Sequence, residues 1–175
     1  MFELRPLLEA DLDAVLAIQS ACYQPGFHES RQAFAAKLQA TPQGCWLAVG
    51  KCGSECDVEA LAYVFSVAVD AGQLPALDAQ QISVPRQAEW LYLHDMAVAP
   101  VARTLGVAAA LLARLEQVAA AQQLSSIVLI AVQASLPFWQ RQGFAELQPL
   151  TPLLAAKLAS YGPQARLLWR PLPSR

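Results

Sequence analysis

The chain has few charges and no long apolar run, and each scarcity excludes a class of protein. Of its 175 residues, 15% are charged and 55% hydrophobic, and the scattered basic residues leave a formal net charge of −2. This balance argues against a nucleic-acid partner. No uninterrupted apolar run reaches the ~18 residues of a membrane span, so we expect no membrane partner. Residues 1–5 lack the basic-then-apolar pattern of a signal peptide, so we expect a cytoplasmic protein.

Cysteine and histidine are also sparse. The Cys52-x-x-x-Cys56 pair has no second pair at zinc-like spacing, and neither His28 nor His94 is near it. Structural zinc sites need four such ligands. We therefore predict free thiols and no metal.

Two nucleotide-binding signatures are missing. A P-loop would need Gly-Lys-Ser/Thr, which the chain lacks. A Rossmann site would need G-x-G-x-x-G and an acidic residue roughly 20 positions later. The strand predicted over residues 126–132 ends without an acid, which disfavours a Rossmann-like nucleotide binder.

Residues 94–108 run from an apolar strand into Arg103-x-x-Gly106-x-Ala108, which opens a helix predicted over 105–122. Unpaired backbone N–H groups at such a helix start suit a phosphate, although a glycine before a helix also suits a plain turn. We expect Gly106 to let the backbone approach a ligand closely. Arg103 and Arg114 are the only charges in residues 101–114, which favours an anion. One face of the helix is apolar: Val107, Ala108, Leu111, Leu112, Leu115, Val118 and Ala119.

A second motif, Phe138-Trp139-x-x-x-Gly143-Phe144, follows about thirty residues later. Together with Met96-Ala97-Val98 and Arg103-x-x-Gly106-x-Ala108, it gives residues 90–148 the order and spacing of the GNAT superfamily of N-acetyltransferases, which the chain resembles. The resemblance implies an α/β (α+β) fold. Its sheet would be mixed and mostly antiparallel, with about seven strands flanked by helices in one domain over 1–175.

Hydrophobic patterns along the chain agree with this fold. We expect the irregular stretch 70–88 to be a functional loop, because it is long for a compact domain. The turn 51–57 joins two strands. The predicted strands are 2–5, 45–50, 58–69, 89–98, 126–132, 144–148 and 165–170, and the predicted helices are 9–22, 29–38, 105–122, 136–142 and 151–161.

The resemblance also implies where acetyl-CoA, the cosubstrate, binds. The strands ending at Val98 and Val132 would separate, and the coenzyme arm would lie between them. The backbone N–H of Met96, or that of its neighbour, would hold the thioester oxygen, and such a donor can lower a barrier by about 3–4 kcal/mol. The implied coenzyme-binding residues are Met96, Ala97, Val98, Arg103, Thr104, Leu105, Gly106, Val107, Ala108, Phe138 and Trp139.

Candidate proton-transfer groups lie on the strand before the turn. Strand alternation predicts Tyr92, His94 and Met96 on one face and Leu93 and Asp95 on the other. The segment resembles the matching strand of arylalkylamine N-acetyltransferases, which carry histidines there. His94, with an ordinary pKa of about 6.5, is either the general base or a buried histidine satisfied by a carbonyl. We expect Asp95 to form an ion pair within the sheet.

The family commonly has tyrosine at the position of Trp139, where it protonates the departing thiolate. An indole N–H can donate a hydrogen bond but cannot act as an acid at accessible pH. That role is therefore vacant or has moved to water, to Tyr92 or to Tyr161. We expect Trp139 to pack against the coenzyme or the core.

Direct transfer of acetyl from acetyl-CoA to an amine, either a small molecule or a peptide, is the predicted activity. The alternative is a CoA-binding sensor or interaction module without catalysis. The sequence leaves the acceptor and the oligomeric state open, a homodimer included. We expect His28 to be a plain surface residue. Four aromatic residues are candidates for the acceptor pocket or for the core: Tyr23, Phe27, Trp90 and Tyr92.

Overall fold

The computed structural model describes residues 1–50 and 59–173, and it shows a mixed sheet of seven strands. The strand order across the sheet is β1-β2-β3-β4-β5-β7-β6, and β4 and β5 are parallel while the other neighbours are antiparallel. The strands are β1 (Phe2–Pro6), β2 (Cys45–Gly50), β3 (Glu59–Val69), β4 (Trp90–Val98), β5 (Ser126–Ala131), β6 (Ala145–Glu146) and β7 (Arg166–Pro171). This is the predicted GNAT-like sheet.

In the part of the chain that the structure describes, five α-helices flank the sheet, and side-chain caps mark where two of them begin. Ser30 and Thr151 each accept a hydrogen bond from a backbone N–H of the helix that follows, which caps that helix. The helices are α1 (Leu12–Cys22), α2 (Arg31–Ala40), α3 (Val107–Ala121), α4 (Leu136–Arg141) and α5 (Pro152–Ala159). Among the described residues, none of the helices has the length and apolar character needed to cross a membrane.

The predicted elements are present with shifted ends. Residues 9–11 form a 3₁₀ turn, so α1 begins later than predicted. The predicted start of α2 was too early, because Glu29 is held by other contacts and Ser30 is the cap. Gly106 has φ +76°, a left-handed conformation, so α3 starts at Val107 rather than at residue 105. The predicted strand 144–148 is reduced to two residues. The turn 51–57, with Cys52 and Cys56, lies outside the described residues.

Separate apolar cores cover the two faces of the sheet. On one face, the buried side of α3 packs against residues of β3, β4 and β5, with Leu111 and Leu115 fully buried. On the other face, α1 and α2 pack on Tyr63 and Phe65 of β3. The predicted apolar face of α3 is therefore correct except at Ala108, which is half-buried, and the central strands are fixed from both sides.

The strands β4 and β5 separate halfway along their length. Within the described residues, their parallel pairing covers only Trp90–Tyr92 and Ser126–Val128. Beyond Tyr92 no described residue of β5 pairs with the edge of β4, which is the separation that the family resemblance implies. The opening lies at the carboxyl ends of these parallel strands, where α/β sheets commonly bind ligands.

Candidate active site

A cavity of about 420 Å³ occupies the opening between β4 and β5. Its wall includes the whole run Tyr92–Val98 of β4 and the end of β5 with the residues after it. Side chains from other elements close it, namely Cys22, Tyr23, Phe27, Glu29, Leu77, Arg103, Ala108, Phe138, Trp139 and Tyr161. The cavity thus joins most of the residues that the sequence predicted for coenzyme binding and catalysis.

A β-bulge at His94 changes the predicted faces of β4. Phe65 of β3 pairs with Asp95, but the next residue, Ser66, pairs with Leu93, so His94 is the extra residue. The alternation restarts after the bulge. Asp95 consequently lies on the same face as Tyr92, and the predicted opposite placement was wrong.

Met96 was also placed on the wrong face. Its side chain packs against the core below α3 that contains Leu93, away from Tyr92. Its backbone, however, points into the opening. The N–H of Ala99 donates to the Leu61 carbonyl of β3. Because the backbone groups of successive strand residues point to alternate edges, the N–H and C=O groups of Met96 and Val98 point to the other edge of β4. The Met96 carbonyl accepts there from the Tyr23 hydroxyl at 2.8 Å. The Met96 N–H therefore faces the opening, as an oxyanion donor must.

The His94 imidazole is held by Glu29, a residue that the sequence analysis did not identify. Nε2 of His94 lies 3.0 Å from Oε1 of Glu29, and both side chains are fully or almost fully buried. A carboxylate only accepts, so Nε2 carries the proton and Nδ1 carries a lone pair. Nδ1 is buried and has no hydrogen-bond partner among the described residues. Burial lowers the pKa of His94.

Glu29 belongs to a buried charge network. Its Oε2 accepts from Nζ of Lys37 at 2.6 Å and from the backbone N–H of Asp78 at 2.9 Å. Gln19 binds both the N–H and the C=O of Glu29. Burial alone would raise the pKa of Glu29, but His94 and Lys37 outweigh it and hold the pKa at about 2. Glu29 is therefore a fixed carboxylate beside a neutral His94.

Asp95 has a hydroxyl partner where an ion pair was expected. Its Oδ2 accepts from the Tyr63 hydroxyl at 2.7 Å. Burial raises the pKa of Asp95 to about 7. His94 and Asp95 are thus adjacent titratable groups that their surroundings push in opposite directions, a pattern typical of acid and base pairs.

The turn before α3 forms the outer rim of the cavity. Arg103 and Ala108 line it, while residues 104–106 are exposed. A Cβ on Gly106 would have no described heavy atom within 4 Å, so within the described protein the glycine is explained by its positive φ, and the close approach to a ligand stays a prediction. Arg114 stacks on the Trp46 ring of β2, with its guanidinium carbon 4.4 Å from the ring centroid, and it does not line the cavity.

Aromatic side chains close the remaining walls. Trp139 is 8% exposed and packs edge-on against Phe138 and Phe144, as a space-filling residue does. Tyr161 follows α5. Burial raises the pKa of Tyr161 to about 12, although the interaction with Tyr92 lowers it. Both positions agree with the predicted placement around the cavity.

Comparison with known proteins decides the family. The model of the acetyltransferase (GNAT) family matches residues 12–144, which is well over half of the chain. The chain belongs to the GNAT acetyltransferase family. No curated protein sequence gives a significant match.

Solved GNAT structures share the fold at low sequence identity. Ard1 from Thermoplasma volcanium is 13% identical over 99% of both chains, with a TM-score of 0.69. The Escherichia coli ribosomal-protein-S18-alanine N-acetyltransferase is 16% identical over 100% of this chain and 96% of that one, with a TM-score of 0.65. A GNAT-like decarboxylase, GphF, solved with isobutyryl-CoA, is 15% identical over 98% and 100%, with a TM-score of 0.69.

Other predictions for this GNAT protein were less accurate or incomplete. Trp90 does not line the cavity. His28 is half-buried with Nε2 2.9 Å from the Tyr23 carbonyl oxygen, so it is not a plain surface residue. The loop 70–88 lies at the cavity through Leu77, and Asp78 joins it to Glu29.

Cys22 and Cys45 are free thiols. The described residues hold no cluster of three or more metal-binding side chains.

Proposed function

We propose that the protein transfers acetyl from acetyl-CoA directly to an amine, with His94 as the general base. One observation carries the proposal. His94 lines the cavity beside the opening of the sheet, its buried Nδ1 carries a lone pair with no hydrogen-bond partner among the described residues, and a buried carboxylate fixes its tautomer. A packed structural histidine would have both nitrogens satisfied.

The cosubstrate would occupy the opening between β4 and β5. The free N–H groups at the start of α3 and the Arg103 guanidinium suit the diphosphate. The Met96 N–H would receive the thioester oxygen and stabilise the negative charge that forms on it. Phe138 and Trp139 would pack against the arm of the coenzyme.

His94 would take a proton from the attacking amine nitrogen. Its lowered pKa keeps the imidazole neutral at pH 7, and the Glu29 carboxylate stabilises the imidazolium that forms. An oriented base of this kind contributes about 10²–10⁴-fold to the rate.

The lining of the cavity favours a small amine without a nearby carboxylate. Apolar and phenolic side chains such as Phe27, Leu77 and Tyr161 line the cavity, and its carboxyl groups belong to Glu29 and Asp95. A substrate carboxylate beside the amino group would face these acids.

Incubation with acetyl-CoA and a panel of amines, amino acids and peptides tests this function. We expect mass spectrometry to detect an acetylated amine and an equal amount of free CoA thiol. CoA binding without any acetylated product would instead support the sensor or interaction module. The fold alone does not decide, since GphF is a decarboxylase with the same architecture.

A further inference from the structure

We propose that Tyr23 is a further catalytic residue, whose hydroxyl protonates the sulfur of the departing CoA while Asp95 supplies the replacement proton. This inference rests on the proposed acetyl transfer. It fills the role that Trp139 cannot perform, because an indole N–H is not an acid at accessible pH.

The position of Tyr23 carries the argument. The residue directly follows α1, lines the cavity, and donates its hydroxyl hydrogen to the Met96 carbonyl oxygen at 2.8 Å. The N–H and C=O of one strand residue flank the same Cα and point to the same edge. The phenol therefore lies next to the Met96 N–H, the proposed donor to the thioester oxygen. The sulfur is bonded to the same carbon as that oxygen, which brings the leaving group beside the Tyr23 hydroxyl.

Asp95 makes the proton transfer favourable. Burial raises the pKa of Tyr23, so the phenol stays protonated. Without help from another group, it is a weaker acid than a thiol, whose pKa is about 8.5. The Tyr23 hydroxyl and the Asp95 carboxyl group interact electrostatically, and the pKa of Asp95 is raised to about 7. Proton transfer from Asp95 through Tyr23 to the thiolate is then downhill.

Several polar groups surround this pair from other elements. Tyr63 on β3 donates to Asp95 at 2.7 Å. Cys22 at the end of α1 donates its thiol hydrogen to the Val98 carbonyl at 3.2 Å. The charged groups that act on Asp95 from the α1–α2 side are Glu29, which raises its pKa, and Lys37, which lowers it.

The step balances within the protein. The amine nitrogen forms a bond to the acetyl carbon and gives one proton to His94. The carbon–sulfur bond breaks, its electron pair stays on sulfur, and the sulfur takes the Tyr23 proton. Asp95 reprotonates the Tyr23 phenolate, and the imidazolium returns its proton to the Asp95 carboxylate. One proton has then moved from nitrogen to sulfur, without an oxidant or another reactant.

Tyr161 is the competing hydroxyl and provides a matched control. It lines the same cavity, but its hydroxyl interacts with Tyr92. Tyr23→Phe and Tyr161→Phe each remove one phenolic oxygen from the cavity wall. A difference between these two variants therefore reports on position and not on the loss of a hydroxyl as such.

The kinetic test measures kcat against pH with the amine that the wild type acetylates. We expect Tyr23→Phe to lower kcat at pH 7 by about 10- to 100-fold. The deficit should shrink above the thiol pKa of about 8.5, because a thiolate then leaves without a proton. A loss of the same size at every pH, or a larger loss in Tyr161→Phe, would overturn the proposal.

A second test needs no turnover. The pKa of the bound CoA thiol is titrated by its thiolate absorbance in saturated complexes. A Tyr23 hydroxyl that donates to the sulfur stabilises the thiolate, so we expect a lower thiol pKa in the wild type and in Tyr161→Phe than in Tyr23→Phe. Equal values in all three would overturn the contact. Should Tyr23→Phe not fold, 3-fluorotyrosine at position 23 keeps the hydroxyl, and a stronger donor should lower the thiol pKa further.

Discussion

His94 and Glu29 lie 65 residues apart in the chain, and Nε2 of the first lies 3.0 Å from Oε1 of the second. Their side chains are 0% and 1% exposed, so water does not screen the contact. The carboxylate holds the proton on Nε2 and leaves Nδ1 as a buried lone pair without a hydrogen-bond partner among the described residues. Lys37 neutralises the charge on Glu29, which permits the carboxylate to remain buried.

Glu29→Gln should lose both stability and activity. It leaves Lys37 as an uncompensated buried charge, which costs about 3–5 kcal/mol in the free energy of unfolding. Without the carboxylate, His94 is a poorer base, and we expect kcat to fall by about 10- to 1000-fold. Urea unfolding and a thiol-release assay measure the two effects.

The double variant Glu29→Gln/Lys37→Met separates these effects. Removing both charges should restore most of the stability, because a buried ion pair contributes little relative to neutral side chains. The loss in kcat should remain. Recovery of kcat together with stability would show that Glu29 serves folding alone.

Gly106 offers a matched pair for the diphosphate site. Asn and Asp both tolerate the left-handed conformation at φ +76°, and a Cβ there has open space. Gly106→Asn and Gly106→Asp therefore differ mainly by one negative charge. Calorimetry should show CoA binding at least about tenfold weaker in the Asp variant than in the Asn variant, since the charge would face the phosphates. Equal affinities would place the diphosphate elsewhere.

Trp139→Phe should retain most of kcat and weaken CoA binding only modestly. The indole packs edge-on between Phe138 and Phe144, and a phenyl ring can fill part of that volume. Steady-state kinetics together with calorimetry measure both quantities. Loss of turnover with unchanged CoA affinity would instead assign the indole N–H a direct role.

Asp95→Asn should change how stability depends on pH. The pKa of Asp95 rises from 3.8 to about 7 on folding, so the folded protein binds this proton more tightly than the unfolded chain. The resulting stabilisation is present below the unfolded pKa and is lost as pH rises through the folded value. The free energy of unfolding of the wild type relative to Asp95→Asn should therefore fall by up to about 4 kcal/mol between about pH 4 and pH 8. A constant difference would contradict the raised pKa.

Local patterns in the sequence predicted most of the fold. The family resemblance implied the separation of β4 from β5, whereas the apolar face of α3 and a last helix beginning near residue 151 follow from residues close together in the chain. The bulge at His94 did not, because it depends on how β3 pairs with β4 and leaves no mark in the alternation of β4 itself. A single extra residue then reversed the predicted faces of Asp95 and Met96.

The site was predicted only in part, because several of its residues come together through contacts between distant parts of the chain. The family motifs mark the coenzyme side, whereas Glu29, Lys37 and Tyr23 act through tertiary contacts. One signal was available: Glu29 and Lys37 are eight residues apart in a helical region that borders the acceptor side. Charged residues in such a position are usually solvated, and only the packing of α2 on the sheet shows that these are buried.

The pH dependence of kcat/KM in the wild type and in His94→Gln tests the central claim most directly. The Gln amide can still donate to Glu29 as Nε2 does, but it has no lone pair that accepts a proton at neutral pH. The wild type should lose activity as pH falls through the lowered His94 pKa, below about 6.5. His94→Gln should be about 10²-fold slower and lack that acidic limb. An unchanged rate and profile in the variant would show that His94 is not the base and that the free amine fraction controls the limb.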